Sequence, residues 1–182
     1  VELAGLQSGQ KVLDIATGTG TAAITAAAIV GCEGKVVGID LAAEMLTQAQ
    51  QKIHAAGLTN IELRQEDAEQ LSFDDNSFDA AICASGIFFL PDMLAGLQEW
   101  QRVTKPGGLV AFSSFNQTAF KPMSDKFTAL IEKYNVLMPS TVGRLNTPQK
   151  CLDLMQAAGF EDIEIQTEQL GYYLNNVHEW WD

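Results

Sequence analysis

Short apolar runs alternate along the chain with longer stretches in which apolar residues recur every three or four positions, the pattern of a parallel sheet flanked by helices. Lys11-Val-Leu-Asp-Ile15 predicts a first strand, and the alanine-rich stretch after the next turn predicts a helix to about Val30, stopped by Gly31. Lys35-Val-Val-Gly-Ile39 predicts a second strand ending at Asp40. Met45, Leu46, Ala49, Ile53 and Ala56 share one face of a helix that Gly57 closes. Ile61-Glu-Leu-Arg64 starts a third strand, which ends near Asp67, and the polar turn Asp74-Asp-Asn-Ser77 precedes a fourth over Phe78 to Cys83. Met93, Leu94, Leu97, Trp100 and Val103 form a helical stripe that must stop before Pro106. Pro106-Gly107-Gly108 then predicts a tight turn and Leu109 to Phe115 a fifth strand. Thr118 to about Leu137 reads as an amphipathic insert carrying Phe120, Phe127, Leu130, Ile131 and Tyr134. Thr147-Pro148 caps and opens a helix through Leu152, Met155 and Ala158 to Gly159, and the partly alternating Ile163 to Leu170 predicts a sixth strand.

These elements predict one α/β domain over residues 1–182, a Rossmann-like, doubly wound and mostly parallel sheet. Its core is expected at 10–116 and 147–170, and the apolar stripe of the helical insert 117–140 belongs either to that core or to a lid over the substrate. The 11 basic and 23 acidic residues give a net charge of −12, which repels a phosphate backbone and argues against nucleic acid as a partner. The longest apolar stretch, Thr21 to Cys32, is too short and too weakly apolar to span a bilayer, so no integral membrane segment is expected. Cys32, Cys83 and Cys151 are widely spaced and form no C-x-x-C pair, the usage of reduced thiols in a cytoplasmic protein without a metal site.

The chemistry begins at Asp14-Ile-Ala-Thr-Gly-Thr-Gly-Thr-Ala-Ala23. Gly18, Gly20 and Ala23, with an acidic Asp40 about twenty residues on, match the dinucleotide fingerprint, so a nicotinamide-dependent oxidoreductase is one reading. Asp14 opposes it, because a carboxylate at the end of a buried strand would face the anionic pyrophosphate. S-adenosylmethionine has no phosphate; it carries an ammonium and a sulfonium, needs acceptors for that ammonium, and needs a carboxylate for two ribose hydroxyls. Asp14, the Ala16 to Gly20 turn and Asp40 can fill those roles, and Asp67 can accept from the adenine amine. Three acids at three successive strand ends converge on one crevice.

Four segments, VLDIATGTG at 12–20, VVGIDLAAEML at 36–46, EDAEQLSFDDNSFD at 66–79 and RVTKPGGLVAFSSF at 102–115, resemble the successive motifs of class I S-adenosylmethionine-dependent methyltransferases. The branch they most resemble holds the ubiquinone and menaquinone biosynthesis methyltransferases. The resemblance implies S-adenosyl-L-methionine as cofactor, with Asp14 near the methionine amino group and Ala16, Thr17, Gly18 and Gly20 lining the methionyl and ribose part. It also implies Asp40 on the ribose hydroxyls, Leu41 against adenine, Asp67 and the Ala68 amide at the adenine edge, and the Ala84 carbonyl toward the ammonium. Ala16 stands where the family usually has glycine, and Phe88 and Phe89 stand where a histidine pair is common. A seventh, antiparallel strand is implied between the fifth and sixth, and no stretch between Leu170 and Asp182 is a candidate for it, which predicts an exposed sheet edge through which two copies could pair.

Methyl transfer from a sulfonium is an in-line displacement to which a protein contributes mainly alignment and exclusion of water. Phe88 and Phe89 either line an acceptor pocket or pack a loop against the core; as pocket residues they favour a small acceptor with an apolar body. His54 lies on a helix surface and is assigned no role, while His178, in the segment after the sixth strand, is either a surface residue or one that could approach an acceptor. Asp79 reads as structural and Cys83 as a buried small residue. The readings left open are a small-molecule methyltransferase, the oxidoreductase, and a catalytically silent binding protein of methyltransferase fold.

Overall fold

The computed structural model of the protein describes residues 1–135 and 142–169. Five strands, β1 (Lys11–Ile15), β2 (Lys35–Asp40), β3 (Ile61–Gln65), β4 (Phe78–Cys83) and β5 (Thr104–Phe112), form one sheet in the order β3-β2-β1-β4-β5. All four pairings are parallel. The helices are α1 (Thr21–Val30), α2 (Ala43–Ala55), α3 (Met93–Val103), α4 (Met123–Glu132) and α5 (Pro148–Ala157), with short 3-10 turns at Ile87–Phe89 and Val142–Leu145.

The period of two along each strand divides the core between the two faces of the sheet. Leu13, Ile15, Val37, Ile39 and Ala81 pack with Trp100, Leu97 and Val103 of α3 and with Met155 of α5. Val12, Val36, Ala80 and Ile82 pack on the other face against Ala22, Ala23, Ala26, Ala27 and Val30. That run of buried alanines is why α1 carries no polar stripe: it lies flat against the sheet, and its small side chains allow a close approach. Its entry is shaped by Gly20, whose φ of 84° is left-handed and whose absent Cβ would stand 3.0 Å from that of Ala49 in α2. Thr147 accepts from the Lys150 amide, the cap expected for α5, and Asp92 caps α3 by accepting from the amides of Leu94 and Ala95. Asp79 is structural, as expected: it accepts from the Lys11 amide at 2.7 Å and pairs with Lys105, which holds its carboxyl below the usual range.

Two expectations are corrected. The fifth strand starts at Thr104, and Pro106-Gly107-Gly108 is an irregularity inside it, since the register runs Phe78 to Thr104 and then Ala80 to Leu109. The amides of Asn76 and Ser77 bond the carbonyls of Arg102 and Val103, which draws the chain onto β4 as soon as α3 ends. The predicted sixth strand is absent over the described part of 163–170: residues 163–169 form no strand, and Leu170 lies outside the described residues. Ile163 packs against the core, but Glu164 to Glu168 are exposed, and a strand added to a parallel sheet would be buried on both faces. The described part of the insert, 117–135, forms one helix, α4, that buries none of its residues, and Phe120, Phe127, Leu130 and Tyr134 are exposed.

The turn after β1 is fixed by a contact across to the loop after β4. Ala16 is held at φ 53°, and a Cβ on Gly86 would fall 2.6 Å from the Ala16 methyl and 2.9 Å from the Cys83 sulfur. Only one of positions 16 and 86 has room for a side chain. Gly86→Ala is therefore expected to destabilise the fold by about 1–3 kcal/mol, from overpacking. Ala16→Gly in the same chain should recover about half of that, because it removes the closer clash and a left-handed alanine while the Cys83 sulfur stays in place. Denaturant melts of the two single variants and the double variant measure this coupling; additive effects would show that the two positions do not meet.

Candidate active site

Parallel pairing brings the carboxyl ends of the strands to one edge of the sheet, and the acidic residues singled out in the sequence lie there. Asp14 faces the α1 side of β1 and has no exposed surface. Its Oδ2 accepts from the Thr17 hydroxyl at 2.5 Å, while Oδ1 is buried with no hydrogen-bond partner among the described residues. Burial pushes the carboxyl up to about 7, and the nearby charge of Asp40 adds to this; the Thr17 hydroxyl and the Ala23 amide act the other way. A buried acceptor without a partner calls for one, whether a proton or a donor brought in from outside.

Asp40 closes β2 and clamps the glycine turn. Its Oδ2 accepts from the Gly18 amide at 2.8 Å and its Oδ1 from the Ala42 amide at 2.9 Å. The Thr17 amide bonds the Ile39 carbonyl at 2.8 Å, so the Ala16–Gly20 turn is held to β2 by main chain as well as by side chain. Each carboxylate oxygen keeps a further acceptor site for a hydroxyl donor.

Asp67 follows β3, exposed, with its Oδ1 accepting from the Glu69 amide at 2.9 Å. Its neighbour Ala68 is anchored through its carbonyl, which accepts from the Trp100 indole at 2.9 Å and leaves the amide free of that anchor. The chain beyond is stapled by Arg102, which donates to the carbonyls of Leu71 and Phe73 and pairs with Asp75 and Glu99. Leu41, after Asp40, is 68% exposed, and its carbonyl accepts from the Gln65 side chain. This is an open apolar surface between Asp40 and Asp67.

On the other side of β1, Ala84 is exposed just after β4. Ser85 sits at φ 58°, with its amide bonded to the Ser113 hydroxyl at 3.0 Å. The two phenylalanines part company: Phe88 is 1% exposed and belongs to the core, whereas Phe89 is 67% exposed. Their rings are 4.8 Å apart, and the contact continues from Phe88 to Phe115 at 5.9 Å and from Phe115 to Phe120 at 5.1 Å. An aromatic wall thus runs from the loop after β4 to the start of the insert.

Ser113 and Arg144 were not legible as site residues. Arg144 donates to the carbonyls of Phe88, Leu90 and Pro91, tying the 3-10 turn at Val142–Leu145 to the phenylalanine loop. Its partners are main-chain carbonyls that no residue pattern announces. His54 is exposed on α2, as expected, and His178 lies outside the described residues. Burial pushes the Cys83 thiol up to about 12, so it is no nucleophile. A groove along the outer edge of β5 reaches residues 159–168; Ala84 and Ser113 line it, and none of the three acids does. Among the described residues, no helix is long and apolar enough to cross a membrane.

The ubiE/COQ5 methyltransferase family model matches residues 1–149. The demethylmenaquinone methyltransferase of Geobacillus stearothermophilus is 36% identical, over 91% of this chain and 77% of its own length. The ubiquinone/menaquinone biosynthesis C-methyltransferase of Coxiella burnetii is 34% identical over 87% of this chain and 70% of its own. Among solved structures, a SAM-dependent methyltransferase from Aquifex aeolicus superposes with a TM-score of 0.71 at 25% identity, covering 87% of this chain and 76% of that one. Nothing in these likenesses supports the oxidoreductase or the silent binding protein. With its parallel sheet and its glycine turn set between Asp14 and Asp40, the chain belongs to the ubiE/COQ5 methyltransferase family and is an S-adenosylmethionine-dependent methyltransferase.

Proposed function

We propose that the protein binds S-adenosyl-L-methionine across the carboxyl edge of β1, β2 and β3 and methylates a small molecule with an apolar body held against the aromatic wall. The observation that carries the cofactor part is the orphaned, buried Oδ1 of Asp14, an acceptor with no partner among the described residues at the place where an ammonium group fits. Asp40 accepts the ribose hydroxyls and keeps the glycine turn in place. Leu41 covers one face of adenine, and Asp67 with the Ala68 amide reads its edge. Ala16, Thr17, Gly18 and Gly20 form the floor under the methionyl chain, Thr17 indirectly because its hydroxyl is committed to Asp14. The Ala84 carbonyl is the second acceptor for the ammonium.

When bound, S-adenosylmethionine supplies a methyl group on a positively charged sulfur, open to in-line attack. The residues of this chain align the acceptor and exclude water. Phe89 touches the acceptor, Phe88 and Phe115 back it from within, and the insert, whose described helix is α4, acts as the lid. The relatives named for demethylmenaquinone make a naphthoquinol the first acceptor to try. Loss of one hydroxyl proton to solvent raises electron density on the neighbouring ring carbon, which takes the methyl group as the carbon–sulfur bond breaks; that carbon then gives its own proton to solvent while the oxygen regains one, restoring the aromatic ring.

Asp40→Ala is expected to weaken S-adenosylhomocysteine binding by ~1.5–3 kcal/mol, because two ribose hydroxyls lose a charged acceptor and the turn loses its clamp. Asp67→Asn should cost less, since an amide oxygen still accepts from the adenine amine. Calorimetric titration ranks the two; equal affinity of Asp40→Ala and the parent chain, or the reverse order, would remove the assignment. For the acceptor, transfer of a labelled methyl group to short-chain naphthoquinols should exceed transfer to sugars, nucleic acid or protein. Phe89→Ala should raise KM for the quinol several-fold and leave cofactor affinity unchanged; a polar acceptor whose turnover ignores Phe89→Ala would overturn the apolar wall.

A further inference from the structure

The proposed role of Asp14 leaves its charge unexplained. It lies wholly inside the protein, one oxygen bonded to a neutral hydroxyl and the other to nothing among the described residues. Among the described residues, the groups that face it bring no side-chain cation. From the end of β2 comes Asp40, another acid; from the end of β4 comes Cys83, a neutral thiol; from α1 comes only the Ala23 amide. A bare carboxylate in such surroundings is costly, and the cost is avoided in only two ways: by holding a proton, or by gaining a cation.

We propose that Asp14 is the specificity-determining group of the crevice and works by exchange: it holds a proton while no cation is beside it, and releases that proton to solvent when a ligand's ammonium takes its place. The balance is simple. One O–H bond of the carboxyl breaks, the proton passes to buffer, and a carboxylate–ammonium pair remains. A ligand with an ammonium group is held by an ion pair formed out of water, whereas a neutral adenosyl compound leaves Asp14 protonated and gains nothing from it. The crevice therefore selects the amino-acid end of its ligand through a titration. This rests on the reading of the Asp14 edge as the cofactor site. Geometry and burial agree: the carboxyl, pushed up to about 7, stands near half-protonation at neutral pH.

The test compares two probes on the full chain by calorimetry in buffers of different ionisation heat, which counts protons released on binding. S-adenosylhomocysteine carries the ammonium; 5′-methylthioadenosine has the same nucleoside end without it. The first should release about 0.9 proton at pH 6, about half a proton at pH 7 and about a tenth at pH 8. Its affinity should rise roughly thirtyfold from pH 5.5 to pH 8 and level off. The second should release none and bind equally at every pH. In Asp14→Asn both the release and the pH dependence should vanish, with 5′-methylthioadenosine affinity retained. If that variant does not fold, the proton count on the parent chain decides alone. Binding of S-adenosylhomocysteine without release at pH 6, or equal release with both probes, overturns the exchange and leaves the cofactor site standing. Failure of both probes to bind overturns the site itself and the exchange with it.

Discussion

Parallel pairing of β1 with β2 and β4 is the constraint on which the site depends. Because Asp14 is level with Gly38 on one side and with Ile82 on the other, each strand leaves the sheet at the same edge, and the loop after each strand is delivered to a common crevice. The turn after β1 then has no freedom left. It is bonded to Ile39 and Asp40 on the β2 side and pressed against Gly86 on the β4 side. A left-handed Ala16 and a glycine that can bear no Cβ are the local costs of that fit, and the two packed faces of the sheet sustain them.

The same fit creates an electrostatic liability. Asp14 in the folded chain binds its proton up to about 7, against 3.8 for an ordinary aspartate, so folding takes up protons in that interval. Its contribution to stability is full below 3.8 and is lost as pH rises through about 7. Above that, the buried charge costs on the order of 4 kcal/mol relative to an aspartate in solvent. Asp79 and Glu99 have the opposite sign: their lysine and arginine partners lower them, and their support is lost as pH falls. On the alkaline side of neutral Asp14 is a buried charge, and there a cation beside it helps most.

Much of this was legible in the sequence. Strand and helix signals marked β1 to β4 and the helices α1, α2, α3 and α5, because burial leaves an apolar run or an apolar stripe at each. The acids were legible by position: Asp40 ends an apolar run, Asp14 interrupts one just before the glycine turn, and Asp67 follows the third strand. The features that escaped detection depend on main chain. The early start of β5 is set by the amides of Asn76 and Ser77, the staple of residues 71–75 by carbonyls that meet Arg102, and the brace on the phenylalanine loop by carbonyls that meet Arg144. Carbonyls have no letter of their own. Phe88 and Phe89 show the limit from the other direction, since adjacent identical residues fall one in the core and one in solvent. The alternation at 163–169 resembled a strand, yet alternation becomes a strand only where a neighbouring backbone takes its hydrogen bonds.

The most direct measurement is a crystal structure of the protein with S-adenosylhomocysteine. The account predicts the ligand's ammonium within hydrogen-bond reach of Asp14 Oδ1, its ribose hydroxyls on Asp40 and its adenine between Leu41 and Asp67. A ligand seated instead in the groove along β5, with Asp14 Oδ1 still unpartnered, would contradict it.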